Sequence, residues 1–600
     1  MADFFLLADP DPERRQRYRA AAAPFLSTLT YPIRHDVGHG CVEGAVFCHD
    51  QTPFHASEWE SGTHLITIGL EDRRRFGAHA DPNAPTFNEA FFRDWFSGTA
   101  FGVCIGWNAR GDIFVAADRL GIFPIYFFQQ GDVTVIASTP SLILCHASCG
   151  RGVDRIALTG ILRYSFPCGE RTMWDAIRRL SPGFALKKPS GAPLRRREIW
   201  RPREDESPET GTEGEYAAVF EATLRSWAGR QAHPVDLQLS GGLDSRIVAG
   251  LLSEASGGVG EAWTYGRRWD LEARSARSVA RECGFPHRTL PVDTGRYLEW
   301  AYAQIAAGHL TNAVTDFALW AAGDYAASRA FPVASGYLGD ITMGGNHIGR
   351  SLPGGDPRSA FVLILSRLNA GYGLPDRMVN DLLRGSDARD LMEACDAELY
   401  RTFLSRGTTN FRRGWWFDLL HRDRHNVARL ILVMARHTWP LLPYLQPGLI
   451  DIAENTPASM LGARRLQEFL INERFPRLAA LPFDRGQMDR WPLRFRSPAH
   501  RLGRRVGERA GRIWRHTMHH YFGLERRVNY RLWDINRNPG WLAIRGQAQH
   551  DADALADLMD VSLVTACVPG PDAQIPVENA LQGSGLKTLA GLALWAAVYR

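Results

Sequence analysis

No run of this 600-residue chain reaches the roughly 18 uncharged apolar residues that a membrane-spanning helix requires. Charge of one sign is also missing. Lys and Arg total 70 against 65 Asp and Glu, a net charge of +5, too small over this length for a dedicated nucleic-acid binder. Cysteine is sparse and without pattern. Nine residues lie at 41, 48, 104, 145, 149, 168, 283, 395 and 567, an odd number with no Cys-x-x-Cys pair. Cys145 and Cys149 are four apart, but no second pair of metal-like spacing follows. A disulfide framework and a zinc ribbon are therefore not expected, and the nine read as reduced thiols of a cytoplasmic protein, most simply as small buried apolar residues. There is no internal repeat and no low-complexity tract. Residues 1–9 carry a short apolar run broken by Asp3 and Asp9 without a basic leader, so no signal peptide is expected there.

What is present is ordinary for a globular chain: 45% hydrophobic and 22% charged residues. The length suggests about three to five domain-sized units. Residues 1–200 read as mostly β. Strand-like runs at 101–107 and 113–117 flank the turn Asn108-Ala109-Arg110-Gly111-Asp112, and runs at 125–128 and 133–137 flank Gln129-Gln130-Gly131-Asp132. Residues 201–214 are polar and rich in Pro and Gly, which marks a linker. From 215 onward strands and helices alternate. Helices are expected at 215–229, 271–283 (closed by Gly284) and 317–329, with strands at 235–239, 261–266, 289–292 and 331–335. Such alternation implies a parallel sheet covered by helices, with ligands beyond the strand C-termini. Beyond 360 the pattern is mainly helical.

Two strings stand at strand ends. The first is Ser240-Gly241-Gly242-Leu243-Asp244-Ser245, which follows Leu239 and opens into a helical run. A glycine-rich turn into a helix start aims backbone N–H groups and partial positive charge at one spot, a seat for a phosphate group. Ser240 and Ser245 can add hydroxyl bonds. Asp244 would repel a phosphate unless Mg²⁺ sat between them. The second string runs Ser335-Gly336-Tyr337-Leu338-Gly339-Asp340-Ile341-Thr342-Met343-Gly344-Gly345. It too follows a strand and carries one Asp. Asp244 and Asp340 form a candidate Mg²⁺ pair, since this ion takes one or two protein carboxylates and completes its shell with phosphates and water. The plain alternatives are a tight connection for the first string and a helix N-cap for Asp340. Thr264, Tyr265 and Gly266 end the second strand, where an adenine or ribose would lie, or are ordinary strand-end residues.

The first string resembles the pyrophosphate loop of the ATP-pyrophosphatase superfamily, and residues 335–345 resemble the corresponding segment of its asparagine-synthetase branch. Asp270-Leu271-Glu272-Ala273 is similar to that family's Asp-Glu-x-x-Ala helix start, although capping and surface roles suit Asp270 and Glu272 better than ligation. Ala117-Asp118-Arg119-Leu120-Gly121-Ile122-Phe123-Pro124-Ile125-Tyr126 is similar to a hairpin of the family's glutaminase-like domain. The likeness spans residues 95–495. It implies an α/β fold: an N-terminal glutaminase-like (Ntn-hydrolase type) β-rich sandwich over 1–200, the 201–214 linker, then a doubly wound parallel-sheet ATP-pyrophosphatase domain with a helical extension over 215–600.

Departures from the family pattern narrow the expectation. The family's glutaminase uses an N-terminal cysteine, whereas Ala2 stands here, and a methyl group cannot attack an amide. No Arg-Gly-Pro-Asp string for holding glutamine occurs in the first hundred residues. Leu442-Pro443-Tyr444-Leu445-Gln446 resembles the family's Arg-Val-Pro-Phe-Leu-Asp stretch, with Trp439 where a glutamate is usual. Leu481-Pro482-Phe483-Asp484-Arg485-Gly486-Gln487 resembles the segment of the catalytic lysine but holds none, so Arg485 is the nearest cation. The resemblance implies ATP and Mg²⁺ as cofactors, with Leu239, Ser240, Gly241, Gly242, Asp244, Ser245, Thr264, Gly266, Ser335 and Gly336 around the nucleotide. Asp244, Asp340 and Arg485 are its expected catalytic residues.

Members that lack the glutaminase cysteine, the β-lactam synthetases and lasso-peptide cyclases, close rings within one molecule. The chain looks more like the cyclases. That likeness implies a macrolactam synthetase that adenylates an Asp or Glu side chain of a precursor peptide, with a leader-removing protease and a leader-recognition protein as further partners, and neither nucleic acid nor membrane. A small-molecule amide or β-lactam synthetase, or an ammonia-fed asparagine-synthetase-like enzyme, is the alternative. The basic tract at 494–527 reads as a solvated helix or a dock for acidic peptide or phosphates. Trp415-Trp416-Phe417 reads as core, or as a cavity wall.

Overall fold

A computed structural model describes the chain apart from residues 1, 30, 70–86, 204–208, 232, 308–316, 344–351, 353–354, 384–386, 483–505, 507–509, 511–531, 533 and 577–583. The first strands are β1 (Asp3–Ala8), β2 (Ile33–His39), β3 (Val42–Cys48), β4 (Phe54–Glu58), β5 (His64–Ile68), β6 (Val103–Trp107) and β7 (Ile113–Ala117). They are followed by β8 (Tyr126–Gln130), β9 (Val133–Ala137), β10 (Arg178–Arg179), β11 (Phe184–Lys188) and β12 (Arg195–Glu198). They form two six-stranded sheets, ordered β10-β8-β9-β1-β3-β2 and β12-β11-β7-β6-β5-β4, and every pairing is antiparallel.

Strand β1 shows why its apolar run is unbroken. Phe4 and Leu6 face the second sheet, where they meet Ile66, Val103 and Ile105. Phe5 and Leu7 face outward onto Tyr18 and Ala22 of helix Pro12–Ser27. A strand covered on both faces has no polar side to alternate with. Ala2, fully buried, belongs to the core between the sheets.

The second half begins with helix Glu213–Gly229, whose start is a capping box between Thr212 and Glu215. Strands β13 (Val235–Gln238), β14 (Val259–Tyr265), β15 (His287–Leu290), β16 (Val333–Ser335) and β17 (Pro440–Leu441) build a parallel sheet ordered β15-β14-β13-β16-β17. Helices Leu243–Ser253 and Leu271–Glu282 pack on one face through Ile247, Val248, Leu251, Ala276 and Val279. Helices Tyr297–Ala306 and Ala318–Ala327 cover the other through Trp300, Leu319 and Ala322 against Trp263 and Val333. The expected alternation is thus present, with strand β15 ending before Pro291, which has no N–H to give a ladder. The chain leaves β13 in one direction towards β14 and β15, then returns on its other side as β16. That reversal is the topological switch point where ligands of open α/β sheets bind. No helix among the described residues is long and apolar enough to cross a membrane.

The two halves share one seam rather than meeting at a surface. Ile68, Phe101 and Leu120 lie in the same apolar core as Trp416, Trp439, Leu442 and Leu449. Arg119 donates to Asp451 (2.7 Å) and to the Pro447 carbonyl (2.6 Å), and its guanidinium lies over the Trp200 ring. Arg424, buried, donates to the carbonyls of Gly121 and Leu180.

Candidate active site

The glycine turn leaves β13 at Gln238 and enters helix Leu243–Ser253 with Gly242 at the N-cap position, where no side chain caps the first turn. Its backbone N–H groups and partial positive charge are thus presented at the strand end. The serine hydroxyls do something other than the sequence suggests. Ser240 Oγ and Ser245 Oγ lie 2.9 Å apart, Ser245 Oγ accepts from the Ser240 N–H (3.1 Å), and Ser240 Oγ accepts from the Gly242 N–H (3.2 Å). They shape the turn from within. Leu239 is buried, with its N–H donated to Trp263 O (2.9 Å).

The neighbouring strand brings the second string against the first. Gln238 pairs with Ser335 across β13 and β16. A Cβ on Gly336 would stand 2.6 Å from Ser245 N and 2.9 Å from the Asp244 carbonyl carbon. A Cβ on Gly339 would stand 2.8 Å from Asp244 Oδ1 and 2.7 Å from the Tyr444 ring. The two loops touch through backbone, which only glycine permits. Gly336→Ala is therefore expected to push them apart and to lower ATP-dependent turnover at least about a hundredfold, since a shift of about 1 Å in the site is that costly. Steady-state kinetics beside circular dichroism would read this.

Asp340 follows directly, in the first turn of helix Gly339–Thr342, after Leu338 in the left-handed region (φ 63°). Arg464 Nη2 approaches Asp340 Oδ2 at 3.4 Å. Gln467, with no exposed surface, donates its amide to Asp244 Oδ1 (2.5 Å) and to the Gly339 carbonyl (2.8 Å), so it bridges both loops. Tyr444 donates its hydroxyl to the main-chain carbonyl of Asp244 (3.0 Å). Burial pushes the Asp244 carboxyl up to about 6, the charge of Asp340 pushes the same way, and Arg464 and Gln467 oppose it. An acid held from ionising by burial and by a neighbouring carboxylate fits a site that takes a cation. Asp423, in the π-helical turn Asp418–Asp423, is raised well above the carboxylate range by burial, then by Asp418, with Asp340 adding to it.

The remaining expected residues divide. Ser335 Oγ donates to Gln238 Oε1 (3.1 Å), and Thr264 Oγ1 donates to Leu239 O (2.5 Å) beside His287 Nε2 (3.0 Å). Both hydroxyls lace strand ends together. Gly266 takes φ +120° as its N–H donates to Leu290 O (2.8 Å). Asp270 stands at the N-cap position of helix Leu271–Glu282, but its carboxylate accepts from the Arg267 N–H. Trp415, Trp416 and Phe417 are core. Trp415 donates Nε1–H to Ile341 O (2.9 Å), which steadies the Asp340 turn. Trp439 is buried against the Phe101 ring. Arg485, Gly344, Gly345 and, apart from Val506 and Ala510, the tract at 494–527 lie outside the described residues.

Sequence reading missed Arg246, Tyr444, Arg464 and Gln467. Buried Arg246 donates to Gly241 O (3.2 Å), Leu478 O (2.9 Å) and Pro482 O (2.8 Å), which ties the glycine turn to the segment leading towards Arg485. Only its place beside Ser245 offered a signal.

These residues fit a nucleotide with Mg²⁺. The uncapped helix start and the Gly336 cradle suit phosphate, and the two neighbouring carboxylates suit the ion. No group of three or more metal-ligating side chains occurs among the described residues, but Mg²⁺ needs only one or two. Residues 215–470 match the asparagine synthase family model, and residues 95–197 match a glutamine amidotransferase domain. Neither match by itself covers half of the chain. The chain is thus similar to a glutamine amidotransferase domain in its first part and to an asparagine synthase in the part that follows. No curated protein matches it. Among solved structures it is similar to a glutamine phosphoribosylpyrophosphate amidotransferase from B. subtilis complexed with ADP and GMP, and to an allosteric regulatory enzyme of purine biosynthesis. Identity is 10% in each case, over 48% of this chain and 65% of theirs, with TM-scores of 0.22 and 0.23. The chain thus spans slightly less than two thirds of those proteins, and likeness at this level carries no argument.

Proposed function

We infer that the chain is a macrolactam synthetase that activates an Asp or Glu side chain of a ribosomal precursor peptide as an acyl-adenylate and closes an isopeptide ring with the peptide's own N-terminal amine. The observation that carries the activation step is the backbone contact of two acid-bearing strand-end loops at the switch point, with Asp244 and Asp340 in one electrostatic field. A carboxylate is a poor electrophile at neutral pH, and transfer of AMP to it supplies the leaving group. Mg²⁺, held by Asp244 and Asp340, would neutralise charge on the departing pyrophosphate. The glycine turn and helix start orient the phosphates. Gln467 holds Asp244 in place.

That the amine arrives with the substrate is supported by the N-terminal sandwich. Ala2 is packed in its core, and β1 offers no thiol or hydroxyl to attack glutamine. Trp439, where the family has a glutamate, fills the seam below Phe101. On this reading the partners are the precursor peptide, the protease that frees its amine, and a leader-recognition protein. The basic tract at 494–527 is a candidate dock for the peptide.

Incubation of the purified protein with ATP, Mg²⁺ and leaderless candidate peptides tests this. Loss of one water from a peptide, with AMP formed in equal amount, is the expected result. AMP formation with a small amino acid and ammonia, indifferent to every peptide, would transfer the activity to the asparagine-synthetase-like alternative.

A further inference from the structure

Arg464 is conspicuous for its backbone. It is one of three non-glycine residues with positive φ among the described residues (φ 60°, ψ 24°), and Leu338, beside Asp340, is another. Side chains resist this left-handed conformation, and its retention is characteristic of functional sites. Gly462, two positions earlier, has an ordinary φ of −67°. The backbone there would favour glycine, and an arginine occupies the position. The strained position starts helix Arg465–Arg474, which also supplies Gln467 to the two loops.

Its side chain points at the acid pair. The approach of Nη2 to Asp340 Oδ2, at 3.4 Å, is long for a charge-assisted bond, which normally lies near 2.7–2.9 Å. The charge of Arg464 also reaches Asp244 and Tyr444. The pair is partly open to solvent, at 19% and 31% side-chain exposure, so a ligand can reach it. Two neighbouring arginines among the described residues have several partners each. Arg246 is spent on main-chain carbonyls, and Arg422 bridges Asp418 and Asp423. Once Asp244 and Asp340 balance a divalent ion, the negative charge of a polyphosphate still needs a partner, and the helix start provides only about half a charge.

We propose that Arg464 binds the β- and γ-phosphates of ATP, beside the Asp340 carboxylate it approaches at 3.4 Å. This rests on the nucleotide-site reading above and adds to it the residue that recognises the pyrophosphate portion. A guanidinium suits the task, because its fork can meet two phosphate oxygens at once.

Equilibrium dialysis of MgATP, pyrophosphate and AMP against the full-length wild type, Arg464→Gln and Arg464→Gly tests it. Both variants should bind ATP and pyrophosphate at least tenfold more weakly and AMP within twofold of wild type. Arg464→Gly, which relieves the left-handed backbone, should melt no lower than wild type. Unchanged ATP affinity, or ATP and AMP affinities that fall together, would overturn the assignment. A wild type that binds neither ATP nor pyrophosphate would instead sink the nucleotide site itself.

Discussion

Asp244→Asn is expected to abolish peptide-dependent AMP formation, by about a thousandfold or more, while making the protein more stable at neutral pH. On the proposed reading the activity loss would follow from removing one of the two carboxylates that would hold Mg²⁺ and, through it, steady the charge on the leaving pyrophosphate. The stability gain follows from Asp244's environment. Its carboxyl sits at about 6 in the folded protein against an ordinary 3.8, through burial and then the nearby Asp340 charge. The folded state therefore holds its proton over a pH range where the unfolded state has lost it. Stability falls as pH rises from about 4 to about 6, and above that the penalty persists in full. About two pH units correspond to roughly 3 kcal/mol at most. Asparagine keeps the oxygen that accepts from Gln467 and sheds the charge. Melting curves of mutant and wild type should coincide below about pH 4 and separate at pH 7, with the mutant higher. A mutant that melts lower than wild type at pH 7 would contradict this. The same shift makes the apparent Mg²⁺ affinity of the wild type decline as pH drops below about 6, which a metal titration at two pH values would detect.

The second large effect concerns the sandwich. Residues 201–600 without residues 1–200 are expected not to accumulate as a soluble monomer. Deletion would uncover Trp416, Trp439, Leu442 and Leu449, which now complete the shared core. It would also strand Arg424, buried and reliant on the Gly121 and Leu180 carbonyls, and Asp451 would lose Arg119. Exposing four large apolar side chains costs about 1.5–3 kcal/mol each, which together is comparable to the whole stability of a domain. Co-expression of the two pieces should restore soluble protein. A soluble, monodisperse 201–600 fragment on size exclusion would show the seam to be dispensable. The sandwich is on this view kept as a structural wall of the synthetase half.

Much of the site was legible because its parts are local. The turn at 240–245 follows from a strand, two glycines and a helix start within a dozen residues, and the second acid-bearing turn repeats that grammar. The sandwich hairpins were marked by turn residues between apolar runs. Hydroxyl roles were less legible. Ser240, Ser245, Thr264 and Ser335 carry the right groups, yet each is turned to a neighbour in the fold, since a polar group near the interior takes whatever partner lies closest. The tryptophans at 415 and 416 could be placed only once their burial was known.

The amino-acid order alone determined the strand–turn–helix units, the acids they carry and the alternation that demands a parallel sheet, because backbone preference and side-chain periodicity act over a few neighbouring residues. Only the tertiary structure decided that β16 returns beside β13, so that Gly336 rests on Ser245, and that a helix start far along the chain brings Arg464 and Gln467 to the same two acids. Contacts of that kind are chosen by which faces must be buried together across the whole molecule, and no short stretch of chain holds that information.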